Sequence, residues 1–118
     1  MSDLRDLTER YRAFSRARDW EQFHDPRSLI LALVGEVGEL AELFQWASDS
    51  ANDALDPQST LHRRSSEEIA DVLLYLLRLA DVLGINPIDA ANSKLNAVEI
   101  RFPADAFRGR APDKSKQQ

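Results

Sequence analysis

Four carboxylates stand out in this sequence because they form two pairs at helical spacing within its most apolar stretches. The pairs are Glu36 with Glu39 and Glu68 with Asp71. Residues three positions apart project from the same side of an α-helix. Hydrophobic residues flank both pairs, so neither pair lies on a clean polar face. If the two segments form antiparallel helices, the four carboxylates can meet.

A cluster of four carboxylates persists only if it is protonated or binds cations. At a separation of about 5 Å, each pair repels by roughly 3 kcal/mol at an effective dielectric near 20. Oxygen ligands without His or Cys favour Mg²⁺ or Mn²⁺ over zinc or iron. The alternative is that these side chains are solvated helix-surface charges. Two acidic pairs on two strongly apolar helices favour the metal site.

Capping residues followed by proline mark the starts of three helices, at Asp25-Pro26, Asp56-Pro57 and Asn86-Pro87. Apolar residues at helical spacing near the beginning of the chain predict a fourth helix. We therefore predict helices over about 3–18, 26–48, 57–83 and 87–102. Gly84 is expected just beyond the end of the third of these helices. The fold class is all-α, with a four-helix domain over 1–103 and a flexible tail over 104–118.

The second and third predicted helices carry apolar residues on most of their faces. A helix on the surface of a monomer needs only one apolar stripe. The two shorter helices cannot cover the rest of this apolar surface. We therefore expect it to pack against another copy of the chain, which makes the protein a homo-oligomer.

Composition excludes several classes of protein. The chain has 118 residues, 43% of them hydrophobic and 30% charged, which is enough for one domain with a core. The formal net charge of −5 argues against nucleic acid or an anionic membrane as the main partner. There is no cysteine, so disulfides and thiolate metal sites are excluded. The beginning of the chain lacks the apolar core of a signal peptide, and we expect a cytoplasmic protein without a membrane span.

Longer segments around the acidic pairs resemble one known family. They are RDWEQFH at 18–24, LALVGEVGELAELFQW at 31–46, DVLLYL at 71–76 and SKL at 93–95. Together they resemble the MazG-like, all-α nucleoside triphosphate pyrophosphohydrolases, and within that family the dCTP pyrophosphatase branch. The similarity spans about 11–103. It implies a four-helix bundle that is completed by assembly into a homodimer or homotetramer.

The resemblance also implies a reaction and its residues. Mg²⁺, with Mn²⁺ as a substitute, would be held by Glu36, Glu39, Glu68 and Asp71. An activated water would attack the α-phosphorus of dCTP or a modified dCTP and release monophosphate and pyrophosphate. A carboxylate not fully engaged with metal, here Glu39, can accept the proton of that water.

A nucleobase pocket and a phosphate contact follow from the same resemblance. The pocket residues are Trp20, Gln22, Phe23, His24, Trp46 and Tyr75. Aromatic faces stack bases, and polar atoms beside them can read a base edge. Lys94 is the expected phosphate contact. Without the family, Trp46 and Tyr75 are also compatible with core or interface packing, and His24 is equally compatible with a turn.

Two departures from the family pattern leave the base preference open. Tyr11 stands where the dCTP branch has a histidine, and Val98 stands where it has an asparagine. Broader specificity, or specificity for dUTP or damaged dNTPs, is therefore an alternative. A di-iron bundle would need Glu-x-x-His motifs, and neither His24 nor His62 lies in one. A non-enzymatic helical oligomerisation or adaptor module would need no Mg²⁺.

Overall fold

The described residues of this computed structural model, 3–45 and 52–111, form helices joined by turns and contain no strand. The chain divides into two compact units, Met1–Ile85 and Asn86–Gln118. The first unit contains α1 (Leu4–Ala17), α2 (Pro26–Gln45), α3 (Asn52–Leu55) and α4 (Thr60–Val82). The second contains α5 (Pro87–Arg101) and α6 (Ala104–Phe107). The all-α prediction is confirmed for the described residues.

The end of α1 directs the chain into a tight turn. After the last helical residue, the N–H groups of Asp19 and Trp20 donate to the carbonyls of Arg16 and Ser15, at 3.1 and 2.9 Å. Asp19 adopts a φ of 55°, the left-handed conformation that usually ends such a helix on glycine and that aspartate tolerates. A 3-10 turn, Glu21–Phe23, follows directly. The segment of Trp20 to His24 is thus held close to the end of α1.

Capping residues fix the starts of the two long helices. Asp25 caps α2 as predicted, because its Oδ2 accepts from the backbone N–H of Ser28 at 3.1 Å. The prediction that Asp56 caps the next long helix is wrong. The hydroxyl of Ser59 accepts from the N–H of His62 at 3.0 Å, and α4 begins at Thr60. Asp56 instead closes the preceding turn, since its carbonyl accepts from the N–H of Ser59 at 3.0 Å.

The end of α4 matches the prediction for Gly84. This glycine has a φ of 70°, which is unfavourable for residues with a side chain beyond Cα. Its N–H donates to the carbonyl of Asp81 at 3.1 Å, and the N–H of Ile85 donates to Ala80 at 2.8 Å. These paired bonds satisfy carbonyls that the helix leaves without partners.

Within the first unit, α2, α1 and α3 all pack against α4. The C-terminal turns of α2 lie beside the N-terminal turns of α4, so the two long helices are antiparallel. This is the arrangement that the carboxylate pairs need in order to meet. Leu29, Leu77 and Ala80 are buried between these elements. Many other apolar side chains on the long helices are exposed, among them Ile30, Leu31, Val34, Val37, Phe44, Ile69, Leu76 and Val82.

The second unit is small. Asn86 caps α5 as predicted, with its Oδ1 accepting from the N–H groups of Ile88 and Asp89 at 3.0 and 3.1 Å. The rings of Phe102 and Phe107 pack edge to face at 5.0 Å. The segment expected to be a tail therefore begins with the short helix α6, and residues 112–118 lie outside the described part of the chain.

Candidate active site

Three of the four predicted metal ligands converge between α2 and α4. Glu36, Glu39 and Glu68 each offer a carboxylate oxygen, and these oxygens lie within 4.8 Å of one another. The Oε2 atoms of Glu36 and Glu68 are buried and have no hydrogen-bond partner. Asp71 is exposed and does not belong to this group, although its charge acts on both buried carboxylates. The geometry therefore supports a three-carboxylate centre with Asp71 beside it.

Glu36 and Glu68 hold their protons more tightly than free carboxyl groups do, because the pKa of each is raised. Burial raises the pKa of Glu36 to about 7, and the neighbouring Glu68, Glu39 and Asp71 add to the rise. Burial also raises the pKa of Glu68, helped by the charges of Glu39 and Asp71. A site of this kind gains stability when a proton or a cation offsets its charge.

A cleft of about 770 Å³ opens beside the carboxylates. This volume lies within the range of about 300–1,000 Å³ that is usual for small-molecule sites. Its walls come from the end of α2 and the start of α4, and its lining residues are Glu39, Glu42, Leu43, Gln45, Thr60, Leu61, Arg64 and Glu68. A negatively charged ligand in this cleft would meet the carboxylates through a cation and Arg64 directly.

The turn after α1 carries four of the predicted pocket residues. The Trp20 ring packs edge-on against Phe14 at 5.5 Å and keeps 45% of its surface exposed. Phe23 is 60% exposed. The side-chain amide of Gln22 donates to the carbonyl and a carboxylate oxygen of Asp19, at 2.8 and 3.2 Å. The turn therefore presents two open aromatic faces, while Gln22 serves to hold its shape.

His24, the last pocket residue in this turn, contacts α1 and α4. Its ring lies edge-on to that of Tyr11 at 6.1 Å. Its Nδ1 accepts a hydrogen bond from Nε of Arg78 at 2.9 Å. Burial and the charge of Arg78 lower the pKa of His24, so the ring is neutral near pH 7. His24 is thus a fixed part of the bundle and more than a turn residue.

Tyr11 contacts the His24 ring and interacts electrostatically with Tyr75. Burial raises the pKa of Tyr11, and the charges of Tyr75 and Asp71 raise it further. Tyr75 is half-buried on α4, one turn after Asp71. The position that departs from the family pattern, Tyr11, is therefore next to the proposed pocket.

The roles of two predicted site residues, Trp46 and Lys94, stay predictions. Trp46 lies outside the described residues. Lys94 is exposed on α5, in the second unit. Gly35 and Gly38 meet nothing within 4 Å of an added Cβ, so no described part of this chain approaches them closely.

Sequence analysis did not identify Arg64 or Arg78 as site residues. Arg78 is only 7% exposed, and with Asp81 it forms an ion pair of 2.9 Å. The signal was available, because two opposite charges three positions apart interrupt the apolar stretch of α4 that follows Asp71. Arg64 gave no comparable signal, since exposed arginines such as Arg63 and Arg64 near the start of a helix are ordinary.

Fold and site together define an all-helical protein with a carboxylate centre between two antiparallel helices. A pyrophosphatase from Archaeoglobus fulgidus shares this fold with a TM-score of 0.76 and 37% sequence identity. The similarity covers 87% of this chain and 94% of that one. The chain therefore belongs to the all-α, MazG-like pyrophosphatase family.

Curated relatives agree with this assignment. Rat dCTP pyrophosphatase 1 is 45% identical over 108 residues, and the mouse protein of that name is 46% identical over 110. Both alignments cover 92% of this chain, and the chain spans 64% of the length of each relative. No family model matches the chain. None of the described helices is long and apolar enough to cross a membrane.

Proposed function

We propose that this protein is a Mg²⁺-dependent nucleoside triphosphate pyrophosphohydrolase that converts dCTP or a modified dCTP to monophosphate and pyrophosphate. The observation that carries the proposal is the convergence of Glu36, Glu39 and Glu68 within 4.8 Å. The rat and mouse relatives named dCTP pyrophosphatase support the choice of substrate.

The residues of the centre fit a divalent cation. All the donor atoms are carboxylate oxygens, which Mg²⁺ and Mn²⁺ prefer. Two of these oxygens are buried without a partner, and burial, together with the neighbouring carboxylates, raises the pKa of Glu36. Glu36, Glu39, Glu68 and, with some movement of its side chain, Asp71 would hold the ion. When bound, Mg²⁺ would offset phosphate charge and promote ionisation of the attacking water.

The other proposed roles belong to side chains of this chain. Glu39 is exposed and lines the cleft, so it can accept the proton of a water that attacks the α-phosphorus. The bond from that phosphorus to its bridging oxygen then breaks, and pyrophosphate leaves. Trp20, Phe23 and Tyr75 would enclose the base together with His24 and Trp46, while Gln22 shapes the turn. Lys94 would contact phosphate.

We further propose that the working form is a homodimer or homotetramer. The support is the exposed apolar surface of α2 and α4, where Leu31 and Val34 are 63% and 61% exposed. A net charge of −5 favours a cation-bound nucleotide over nucleic acid as partner. The functional domain is proposed to span 1–103.

The test is a panel of dCTP, 5-methyl-dCTP, dUTP and dATP with Mg²⁺, with products separated by chromatography. We expect monophosphate and pyrophosphate, fastest with a cytosine nucleotide, and no turnover in EDTA. The Glu36→Gln protein, purified in parallel, controls for contaminating phosphatases. Orthophosphate as the first product, or full turnover in EDTA, would overturn the reaction. Equal use of dATP and dCTP would remove only the pyrimidine preference.

A further inference from the structure

Arg78 is a buried guanidinium that joins the proposed base pocket to α1. Its Nε donates to Nδ1 of His24 at 2.9 Å, and its Nη1 donates to Oδ2 of Asp81, also at 2.9 Å. Asp81 in turn accepts from Nε and Nη2 of Arg12, at 2.9 and 2.5 Å. The four side chains form one continuous chain of hydrogen bonds, in the order Arg12, Asp81, Arg78, His24.

The donor in the Arg78–His24 bond determines where the proton of His24 lies. A guanidinium has only N–H donors and stays charged at every relevant pH. Nδ1 of His24 must therefore be the unprotonated, accepting nitrogen of a neutral ring. The single ring proton is then on Nε2. Protonating Nδ1 would break the bond and place two cations in contact.

His62, the other histidine of the chain, has the opposite arrangement. Its Nδ1 lies 2.7 Å from the carbonyl oxygen of Ala54. A carbonyl oxygen can only accept, so Nδ1 of His62 must carry a proton. His62, with its proton on Nδ1, therefore serves as an internal control for the tautomer of His24, whose Nδ1 carries no proton.

We propose that Arg78 is a positioning residue that fixes His24 as an Nε2–H donor, so that the pocket recognises a nucleobase through an acceptor atom. A pyrimidine carbonyl oxygen is an acceptor of this kind. The recognition half of this proposal, that His24 binds an acceptor atom of the base, rests on the proposed function. The tautomer half, that Nε2 of His24 carries the ring proton, does not. Arg78 need not touch the substrate, because it acts through His24.

Nitrogen-15 NMR of the histidine side chains tests the tautomer in the substrate-free protein near neutral pH. We expect Nδ1 of His24 to resonate as an unprotonated nitrogen and Nε2 as a protonated one. His62 should show a protonated Nδ1, and a His62→Gln protein assigns the two sets of signals. A protonated Nδ1 on His24 would overturn the proposal whatever the enzyme's activity.

Kinetics of Arg78→Met and Arg12→Met test whether Arg78 acts through His24. Both substitutions remove an arginine bound to Asp81, but only the first removes the bond to His24. We expect Arg78→Met to raise KM for dCTP about tenfold, the scale of one well-placed hydrogen bond, with a smaller change in kcat. Arg12→Met should leave KM and the tautomer of His24 as they are. If Arg78→Met fails to fold, Arg78→Lys takes its place. Lysine has a single ammonium group and cannot donate to both His24 and Asp81 in the geometry of the guanidinium Nε and Nη1.

A double-mutant cycle separates positioning from mere structural support. In a His24→Leu background, Arg78→Met should raise KM by less than about twofold, because the donor it positions is already gone. Additive effects on KM would overturn the proposal. If the wild-type protein hydrolyses no nucleotide, the proposed function and the recognition half fail together, while the NMR result still decides the tautomer.

Discussion

At the residue scale, the burial of Glu36 and Glu68 and the repulsion among Glu36, Glu39 and Glu68 should lower the stability of the metal-free centre. Removing one charge should relieve that repulsion, but it should also remove a proposed ligand. We expect Glu68→Gln to raise the melting temperature in EDTA and to lower turnover by about a hundredfold or more. Differential scanning fluorimetry and the nucleotide assay are the measurements. Glu67→Gln makes the same charge change at an exposed neighbour and is the matched control. It should change neither the melting temperature nor the turnover. A lower melting temperature with activity retained would place Glu68 on an ordinary surface.

The raised pKa of Glu36 predicts how stability depends on pH. Its pKa is about 7 in the folded protein against an ordinary value of 4.5, so the folded state binds this proton more tightly. The resulting stabilisation is complete below the ordinary value, declines as pH rises, and is lost above about 7. In EDTA, the melting temperature should therefore fall as pH rises through this window, and Mg²⁺ at alkaline pH should restore it. A Glu36→Gln protein should lack this fall; the same fall in that protein would assign the effect to another group.

At the scale of elements, Asp81 ties α1 to α4, and its partner Arg78 ties the turn bearing His24 to α4. It is 14% exposed and pairs with both Arg12 and Arg78, which hold its pKa below its ordinary value. Asp81→Asn leaves the buried Arg78 without its counter-charge, so we expect a loss of about 2–4 kcal/mol in the free energy of unfolding. Arg12→Met, which removes a half-exposed partner, should cost about 1 kcal/mol or less. Urea unfolding curves measure both, and equal losses would contradict this ranking.

The same ion pair predicts a loss of stability in acid. Because the pKa of Asp81 is lowered on folding, its contribution is present above the ordinary value of 3.8 and is lost as pH falls through the folded value. This is opposite in sign to the effect of Glu36. In EDTA, these two groups should make the melting temperature fall toward both acid and alkaline pH, and a profile of melting temperature against pH measures both falls.

At the scale of the whole molecule, the exposed apolar faces of α2 and α4 predict assembly. Analytical ultracentrifugation at micromolar concentration should show at least a dimer. Placing a charge on this surface with Val34→Glu should shift the protein toward monomer and lower its melting temperature, because α2 then loses its apolar partner. Ser66→Glu adds the same charge at an exposed polar position and should leave assembly unchanged. A stable wild-type monomer would refute the proposed assembly.

The sequence by itself determined the four longer helices, but not the short α3 and α6, and it determined the pairing of carboxylates along α2 and α4. Caps and helical spacing act over a few residues, so Asp25, Asn86 and Gly84 could be assigned from their immediate neighbours. The error at Asp56 is of the same local kind, since Ser59 competed for the cap. Tertiary structure decided which side chains meet. It brought Glu68 to Glu36 and Glu39, left Asp71 outside that group, and opened the cleft beside Arg64. It also joined Arg78 to His24 across 54 positions of sequence. No local pattern encodes such a contact, because it depends on how α4 packs against α1 and the turn that follows it.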